Sequence, residues 1–137
     1  MTQDLITPEN LSKESLKSIF DEALMETSVD PEGDLHVSEN LNCLVLPSDS
    51  KDRIRLLAIF AFEPQVSQQK RLEFVNQVNS EFILIRASVG SQNDTLFFDH
   101  DILVQGGITK KALVLATKRF LSIPREAIQE FGKDLVK

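Results

Sequence analysis

The residue triplet that most suggests chemistry in this sequence is Asp99-His100-Asp101. A carboxylate beside an imidazole can tune a general base or support a metal ligand. The triplet lies in residues 96–104, where apolar side chains recur at every second position and predict a strand. Because successive side chains on a strand point to opposite faces, His100 cannot converge with the two aspartates. We therefore interpret His100 as a partly buried structural histidine, and we predict no catalytic residues.

Candidate metal and phosphate ligands are also poorly arranged. Zinc needs three or four convergent ligands, and the chain offers one cysteine with two distant histidines. Asp30, Glu32 and Asp34 have the alternate spacing of oxygen ligands for calcium, but Gly33 comes too early for a helix–loop–helix calcium site. The glycine pair at 106–107 lacks the Lys-Ser or Lys-Thr of a phosphate loop. We predict neither a metal nor a cofactor.

Charge is distributed unevenly along the chain. The formal net charge is −6, to which residues 1–52 contribute −9 and residues 53–137 contribute +3. An acidic field disfavours approach to a polyphosphate, so we predict no nucleic-acid partner. We interpret the one basic cluster as a solvated face or as a contact with the acidic half of the same or a second subunit. This cluster contains Lys110, Lys111, Lys118, Arg119 and Arg125.

Length and composition predict a single domain over residues 1–137. A chain of this size can bury a core without disulfides, and Cys43 lies among apolar neighbours where it should behave as a small buried hydrophobe. The first residues lack a basic start and an apolar run, and no segment approaches the ~20 apolar residues that span a bilayer. We expect a cytoplasmic protein that does not enter a membrane.

Three helical regions are predicted from their caps and apolar spacing. Thr7, Ser67 and Thr109 can each accept a bond from an orphan amide, and Pro8 suits the first helical position because it lacks that amide. In the second region, Leu72, Val75, Val78 and Phe82 would form the apolar stripe.

The C-terminal helical region, which starts at about residue 109, contains Pro124. An interior proline deletes one hydrogen bond and clashes with the preceding turn. We therefore expect two helical pieces, over about 109–121 and about 124–136.

The strands are predicted from turn chemistry and from alternation. Residues 30–33 read Asp-Pro-Glu-Gly, which is favourable for a type I turn joining two short strands. A longer strand over 54–62 ends before Pro64, which cannot donate to a ladder. The predicted fold class is α+β, with an antiparallel sheet of about five strands and elements in the order α-β-β-β-α-β-β-α.

The strand over 54–62 is apolar on both faces along part of its length. Alternate residues from Ile54 to Phe62 form one face, while the other face begins with arginines and then becomes apolar. A single layer of helices can cover one face of a sheet, so the second apolar face predicts a partner. The candidate partner-binding surface consists of Leu57, Ile59, Ala61, Phe97 and Leu103.

An ordered set of local patterns resembles the YbjN-like family, which is described as regulators of bacterial sensory transduction. The resemblance covers roughly residues 8–120 and rests on the set as a whole. The patterns are DPEGDL at 30–35, RLLAIF at 55–60, LEFVNQVN at 72–79, DTLFF at 94–98 and GGIT at 106–109.

The resemblance implies a fold similar to that of type III secretion chaperones, which are small, acidic, dimeric proteins that bind extended segments of their clients. It implies a homodimer in the bacterial cytoplasm, and no catalytic residues are carried over. The leading hypothesis is a noncatalytic protein-interaction or chaperone-like regulatory module that binds another polypeptide. The alternative is a small-ligand-sensing regulator with an apolar pocket between sheet and helices.

Overall fold

A computed structural model describes residues 4–137 of the chain. Three helices and a six-stranded antiparallel sheet account for most of the fold, and a pair of two-residue strands forms a second small sheet. In chain order the elements are β1 (Leu5–Ile6), α1 (Lys13–Glu22), β2 (Glu26–Val29), β3 (Leu35–Ser38), β4 (Asn42–Pro47), β5 (Arg53–Ala61), α2 (Gln68–Glu81), β6 (Arg86–Val89), β7 (Thr95–Leu103), β8 (Ile108–Thr109) and α3 (Lys110–Phe131).

The main sheet has the strand order β2-β3-β4-β5-β7-β6, and every neighbouring pair is antiparallel. The two nine-residue strands β5 and β7 lie next to each other and pair along their whole length, from Arg53 opposite Leu103 to Ala61 opposite Thr95. These two strands form the most extensive pairing in the sheet. The predicted α+β class with an antiparallel sheet is confirmed, with six strands in the main sheet where about five were expected.

The core lies between the three helices and one face of the main sheet. Alternate side chains of the strands are buried on this face, as in β5, where Ile54, Leu56 and Ala58 are buried and their neighbours are partly or fully exposed. The helices contribute the other half of a single cluster of buried residues, including Phe20, Phe74 and Phe120. The opposite face of the sheet is not part of that cluster.

The structure confirms two of the predicted helix caps and corrects the third. Ser67 accepts from the amide of Lys70 (3.2 Å), and Thr109 accepts from the amide of Ala112 (3.0 Å). The expectation that Thr7 and Pro8 open the first helix is wrong, because α1 begins at Lys13 behind a reciprocal capping box of Ser12 and Ser15. Residues 5–6 instead form β1, which pairs with β8, and a turn follows them.

The interior proline does not divide the last helix. The structure has one continuous helix of 22 residues that passes through Pro124, where the sequence predicted two pieces. Proline in a helix interior is destabilising by about 3 kcal/mol. Here Phe120, Leu121, Ile123 and Ala127 are all buried on the two sides of Pro124, and the burial of several such side chains outweighs that penalty.

The hairpin between β2 and β3 has the predicted turn. The amide of Gly33 donates to the carbonyl of Asp30 (2.9 Å), as in a type I turn, and Gly33 has a φ of +90° that suits glycine. The apolar stripe of α2 differs from the prediction in part. Val75 and Val78 are buried as expected, but Phe74 is buried and Leu72 is half-exposed.

Candidate functional site

The face of the main sheet that points away from the helices, which we call the outer face, carries an apolar patch. Four partly or fully exposed side chains from three adjacent strands form it: Leu44, Leu57, Ile59 and Phe97. Leu44 pairs with Leu57 across β4 and β5, and Ile59 pairs with Phe97 across β5 and β7. Directly opposite residues on one face are in side-chain contact range, so the four residues form a continuous surface, which we call the outer patch.

The five residues of the predicted partner surface all lie on the outer face, but the structure groups four of them and separates one. Leu57, Ile59 and Phe97 belong to the outer patch, and Ala61 continues it at the end of β5 opposite Thr95. Leu103 lies at the other end of β7, opposite Arg53 and with 67% of its surface exposed. An ion pair stands between Leu103 and the outer patch.

The sequence analysis missed Leu44, which lies next to Leu57 in the outer patch. Its strand shows the required signal, because Cys43 and Val45 are buried while Leu44 and Leu46 alternate with them. That alternation places Leu44 on the outer face. Knowing that this face adjoins Leu57 also requires the strand order, which alternation within one strand does not reveal.

Two bidentate ion pairs border the outer patch. Arg55 donates to both carboxylate oxygens of Asp101 (2.9 and 3.2 Å), and Arg86 donates to both oxygens of Asp99 (2.9 and 3.0 Å). The hydrogen bond from Arg55 holds the pKa of Asp101 below its usual value, so this carboxylate is ionised at neutral pH. Each charge on this part of the outer face is therefore neutralised within the chain.

A chain of polar side chains borders the patch on the side of β3. His36 Nε2 lies 2.7 Å from Asp30 Oδ2, and Asn42 Nδ2 lies 2.8 Å from His36 Nδ1. Ser38 then donates to the amide oxygen of Asn42 (3.1 Å). The hydrogen bond from His36 is the main cause that lowers the pKa of Asp30. His36 also pairs with Leu44 across the sheet, which joins this network to the outer patch.

A cavity of about 270 Å³ opens beside the outer patch, at the border between the sheet and the C-terminal half of α3. Apolar and polar side chains both line it, and Arg125 also donates to the carbonyl of Asn40 (2.7 Å). A cavity of this size accommodates a side chain of a partner or a small molecule. Three residues of the outer patch, Leu44, Leu57 and Ile59, line it together with His36, Leu41, Asn42, Phe60 and Arg125.

The Asp99-His100-Asp101 triplet does not form a reactive cluster. Each aspartate pairs with an arginine, as described above, while His100 alternates to the helix side of β7 and is only partly exposed. Burial lowers the pKa of His100, so its imidazole is neutral at pH 7. Within residues 4–137, no three His, Cys, Asp or Glu side chains are placed to hold a metal ion. Across the same range, every helix is too short or too polar to span a membrane.

Comparison with sequence families gives a match over most of the chain. The sequence model of the YbjN family, described as "Putative bacterial sensory transduction regulator", matches residues 12–133. No curated protein matches the sequence.

Comparison with solved structures finds the same fold in proteins of low sequence identity. YbjN from E. coli superimposes with a TM-score of 0.78 at 15% identity, covering 93% of this chain and 96% of that one. The Yersinia pestis type III secretion chaperone SycH, solved with a stable fragment of YscM2, gives 0.56 at 12% identity over 85% and 97% of the two chains. The HopA1-SchA chaperone-effector complex gives 0.58 at 12% identity over 87% and 91%.

Proposed function

Because the chain belongs to the YbjN family, we propose that it is a noncatalytic protein-interaction module that binds another polypeptide through its outer face and forms a homodimer. The observation that carries this proposal is the outer patch, an apolar surface that crosses the adjacent strands β4, β5 and β7. Ile59 is 53% exposed there although it occupies a central strand. Apolar patches on a sheet face that no helix covers are typical of interfaces.

The internal ion pairs of the outer face are compatible with a second copy of this chain as one occupant. The copies repel each other at long range because each carries a net charge of −6. The outer face itself holds Arg55, Asp101, Arg86 and Asp99 in internal pairs, so two such faces can meet without unpaired charge. The proposed interface therefore relies on apolar contact, with already neutralised pairs around it.

The size of the face is sufficient for a dimer. The six strands of the main sheet, which are four to nine residues long, together span roughly 600 Å² in plan at ordinary strand spacing. A stable interface buries roughly 800 Å² of accessible surface on each partner. The accessible area of a sheet face exceeds its area in plan because the side chains protrude from it. The total surface of the described residues is 8005 Å², so such an interface would use about a tenth of it.

The structural neighbours support the binding of a polypeptide. SycH was solved with a fragment of YscM2, and the HopA1-SchA structure is that of a chaperone-effector complex. Both share the α+β fold of this chain over most of their lengths. A client of this chain would bind the outer patch in place of the second copy, so the homodimer and the client complex would be alternative states.

The test of the proposal is the oligomeric state of Ile59→Glu. A carboxylate in the centre of the outer patch would be buried without a partner in the dimer, so we expect the variant to be monomeric where the native protein is dimeric. Leu72→Glu is a matched control, because Leu72 is 50% exposed but lies on α2. The measurement is light scattering coupled to size-exclusion chromatography, with circular dichroism to confirm the fold.

Two outcomes would contradict the proposal in different ways. If the native protein is monomeric at every concentration, the proposed homodimer is refuted. If Ile59→Glu keeps the native mass and still captures a client identified from the native cell, the outer patch is not the binding surface. Salt provides a further check, since screening the repulsion between copies should strengthen dimerisation.

A second candidate is the sensing of a small ligand, which the cavity beside the outer patch favours. His36, Asn42 and Arg125 provide polar groups on its border, and Leu41 and Phe60 provide apolar lining. This combination is typical of ligand pockets, although the volume suits only a small molecule. Thermal-shift screening tests it, because a true ligand raises the unfolding temperature in a concentration-dependent way that Leu41→Trp should abolish.

We also propose that the protein acts in the cytoplasm and binds no nucleic acid. Three of the five residues of the basic cluster support the second statement, because Lys118 pairs with Glu39, Arg119 donates to the carbonyl of Ile83 and Arg125 donates to that of Asn40. Cell fractionation tests the location. A gel-shift titration at low salt tests the absence of nucleic-acid binding.

A further inference from the structure

A second apolar surface lies on the helical side of the molecule, between α1 and α3. The groove there has a volume of about 290 Å³ and is open to solvent. Leu115 is 56% exposed in it, while Ile19 is almost fully buried at its base. We call this surface the helix groove. Its apolar lining consists of Ile19, Ala23, Val114 and Leu115, and its charged lining consists of Glu22, Lys110 and Lys111.

Two lysines border the helix groove in a position that does not stabilise the fold. Lys110 and Lys111 are the first two residues of α3, and the first turn contains no acidic residue. The positive end of the helix dipole disfavours cations at this position. Among residues 4–137 neither lysine forms an ion pair, whereas Lys118 further along α3 pairs with Glu39. Glu22 also lines the groove, but the two lysines outnumber it and neither is engaged in an ion pair within that range, so they are available to an acidic partner.

Leu24 adds an unusual feature next to the helix groove. It directly follows Ala23, has a φ of 62° and exposes 93% of its surface. At the end of α1 the amide of Leu24 donates to the carbonyl of Asp21, and the amide of Met25 donates to the carbonyl of Phe20. Helices that end in this way usually have glycine at the position that Leu24 occupies. A leucine here strains the backbone and exposes apolar surface. Neither property stabilises the fold, and residues of this kind concentrate at functional surfaces.

We propose that the helix groove binds an acidic amphipathic helix of another protein. The apolar side chains of that helix would pack on Val114 and Leu115, in the manner of a helix in a groove, and its carboxylates would pair with Lys110 and Lys111. This surface is separate from the outer patch. The inference therefore goes beyond the proposed function, and either can fail without the other.

The partner is a different protein because a second copy lacks a suitable helix. The acidic helix of this chain is α1, but its apolar residues Leu16, Ile19 and Phe20 are buried in the core. The apolar sides of α2 and α3 are buried in the same cluster. A folded copy can therefore offer carboxylates to the helix groove but not an apolar stripe.

The test uses a synthetic fluorescent peptide of about 16 residues, with leucines at helical spacing and glutamates on both flanks. A matched peptide has lysine at every glutamate position. We expect saturable binding of the acidic peptide, seen by fluorescence anisotropy, and shifts of the methyl resonances of Ile19, Val114 and Leu115. Leu115→Glu should weaken binding about tenfold or more. Leu72→Glu and Ile59→Glu are the controls and should bind normally.

A second variant separates loss of binding from loss of folding. Lys110→Glu combined with Lys111→Glu should weaken binding of the acidic peptide and strengthen binding of the lysine peptide. The thermal midpoint of unfolding should rise, because acidic side chains stabilise the start of a helix. Equal binding of the two peptides to the native protein would overturn the proposal. So would methyl shifts centred on Leu57 and Ile59, an absence of saturable binding, or a change of oligomeric state in Leu115→Glu.

Discussion

Arg71 is the buried charge whose removal should most disturb the fold beneath the outer patch. Its side chain is 10% exposed, and it donates to the carbonyls of Val66 (3.1 Å) and Glu63 (3.3 Å) and to the carboxylate of Asp94 (2.9 Å). The guanidinium also lies 5.1 Å from the ring centre of Phe62. These contacts join the loop after β5 to the turn before β7. They therefore fix the ends of the two strands that carry Ile59 and Phe97.

The expected loss for Arg71→Met follows from these contacts. Each hydrogen bond from a charged donor contributes about 1.5–3 kcal/mol when its acceptor is left unsatisfied. Asp94 is 40% exposed and regains water, so the two carbonyls account for most of this term. The contact with Phe62 adds about 0.5–2 kcal/mol, and methionine keeps part of the apolar packing. The packing that methionine keeps offsets part of this sum, so we expect a decrease near its lower end, about 3–5 kcal/mol in the free energy of unfolding.

Urea unfolding followed by far-ultraviolet circular dichroism is the suitable assay, because the chain contains no tryptophan or tyrosine for fluorescence. Lys70→Met is the matched control, since Lys70 is the exposed neighbour of Arg71 on α2. It should change stability by less than about 0.5 kcal/mol. A decrease below about 1 kcal/mol for Arg71→Met, with an unchanged slope, would refute the role given to these hydrogen bonds.

Three further predictions concern other parts of the fold. The side chain of Asn79 forms two hydrogen bonds with the main chain of Ala87 (2.8 and 3.1 Å). Asn79→Ala should therefore lower the free energy of unfolding by about 1–3 kcal/mol, measured with urea. It should also increase aggregation, measured by light scattering, because it uncovers the edge of β6. Burial raises the pKa of the Cys43 thiol to about 12, so a thiol reagent at neutral pH should react at a rate that follows unfolding in urea. The pKa of Asp101 is lowered in the folded state, so its contribution to stability is present above about pH 4 and is lost as the pH falls through the folded value. Acid titration of Asp101→Asn, followed by circular dichroism, should therefore show a weaker dependence on pH than the native protein.

The sequence predicted those features of the fold that depend on neighbouring residues. The turn at 30–33, the caps Ser67 and Thr109, and the two faces of β5 are all set by local chemistry or by alternation. Thr7 also fits the local rule for a helix cap, but the prediction that it caps the first helix was wrong. The pairing of Leu5 with Thr109 joins residues far apart in the chain, and it commits the segment before Thr7 to a strand. Local rules do not include that pairing.

The candidate site was predictable to a similar extent and for the same reason. Alternation placed Leu57, Ile59 and Phe97 on the face that the helices leave uncovered. It did not show that Leu44 would lie beside Leu57, or that Arg55 and Asp101 would separate Leu103 from the others. Those statements need the strand order and the register. The helix groove was harder still to predict from the sequence, because it depends on how two helices distant in sequence approach each other.

Backbone geometry gives a separate argument that both surfaces serve interactions. Leu24 and Leu84 have left-handed φ values of 62° and 58°, and both are largely exposed. A left-handed leucine is destabilising by roughly 1–2 kcal/mol relative to an ordinary conformation, and its exposed side chain gains nothing from folding. Leu24 adjoins the helix groove, and Leu84 shares a depression with Arg86 and Asp99 at the border of the outer face. The two left-handed leucines therefore lie beside the two proposed binding surfaces, as expected if partners supply the missing contacts.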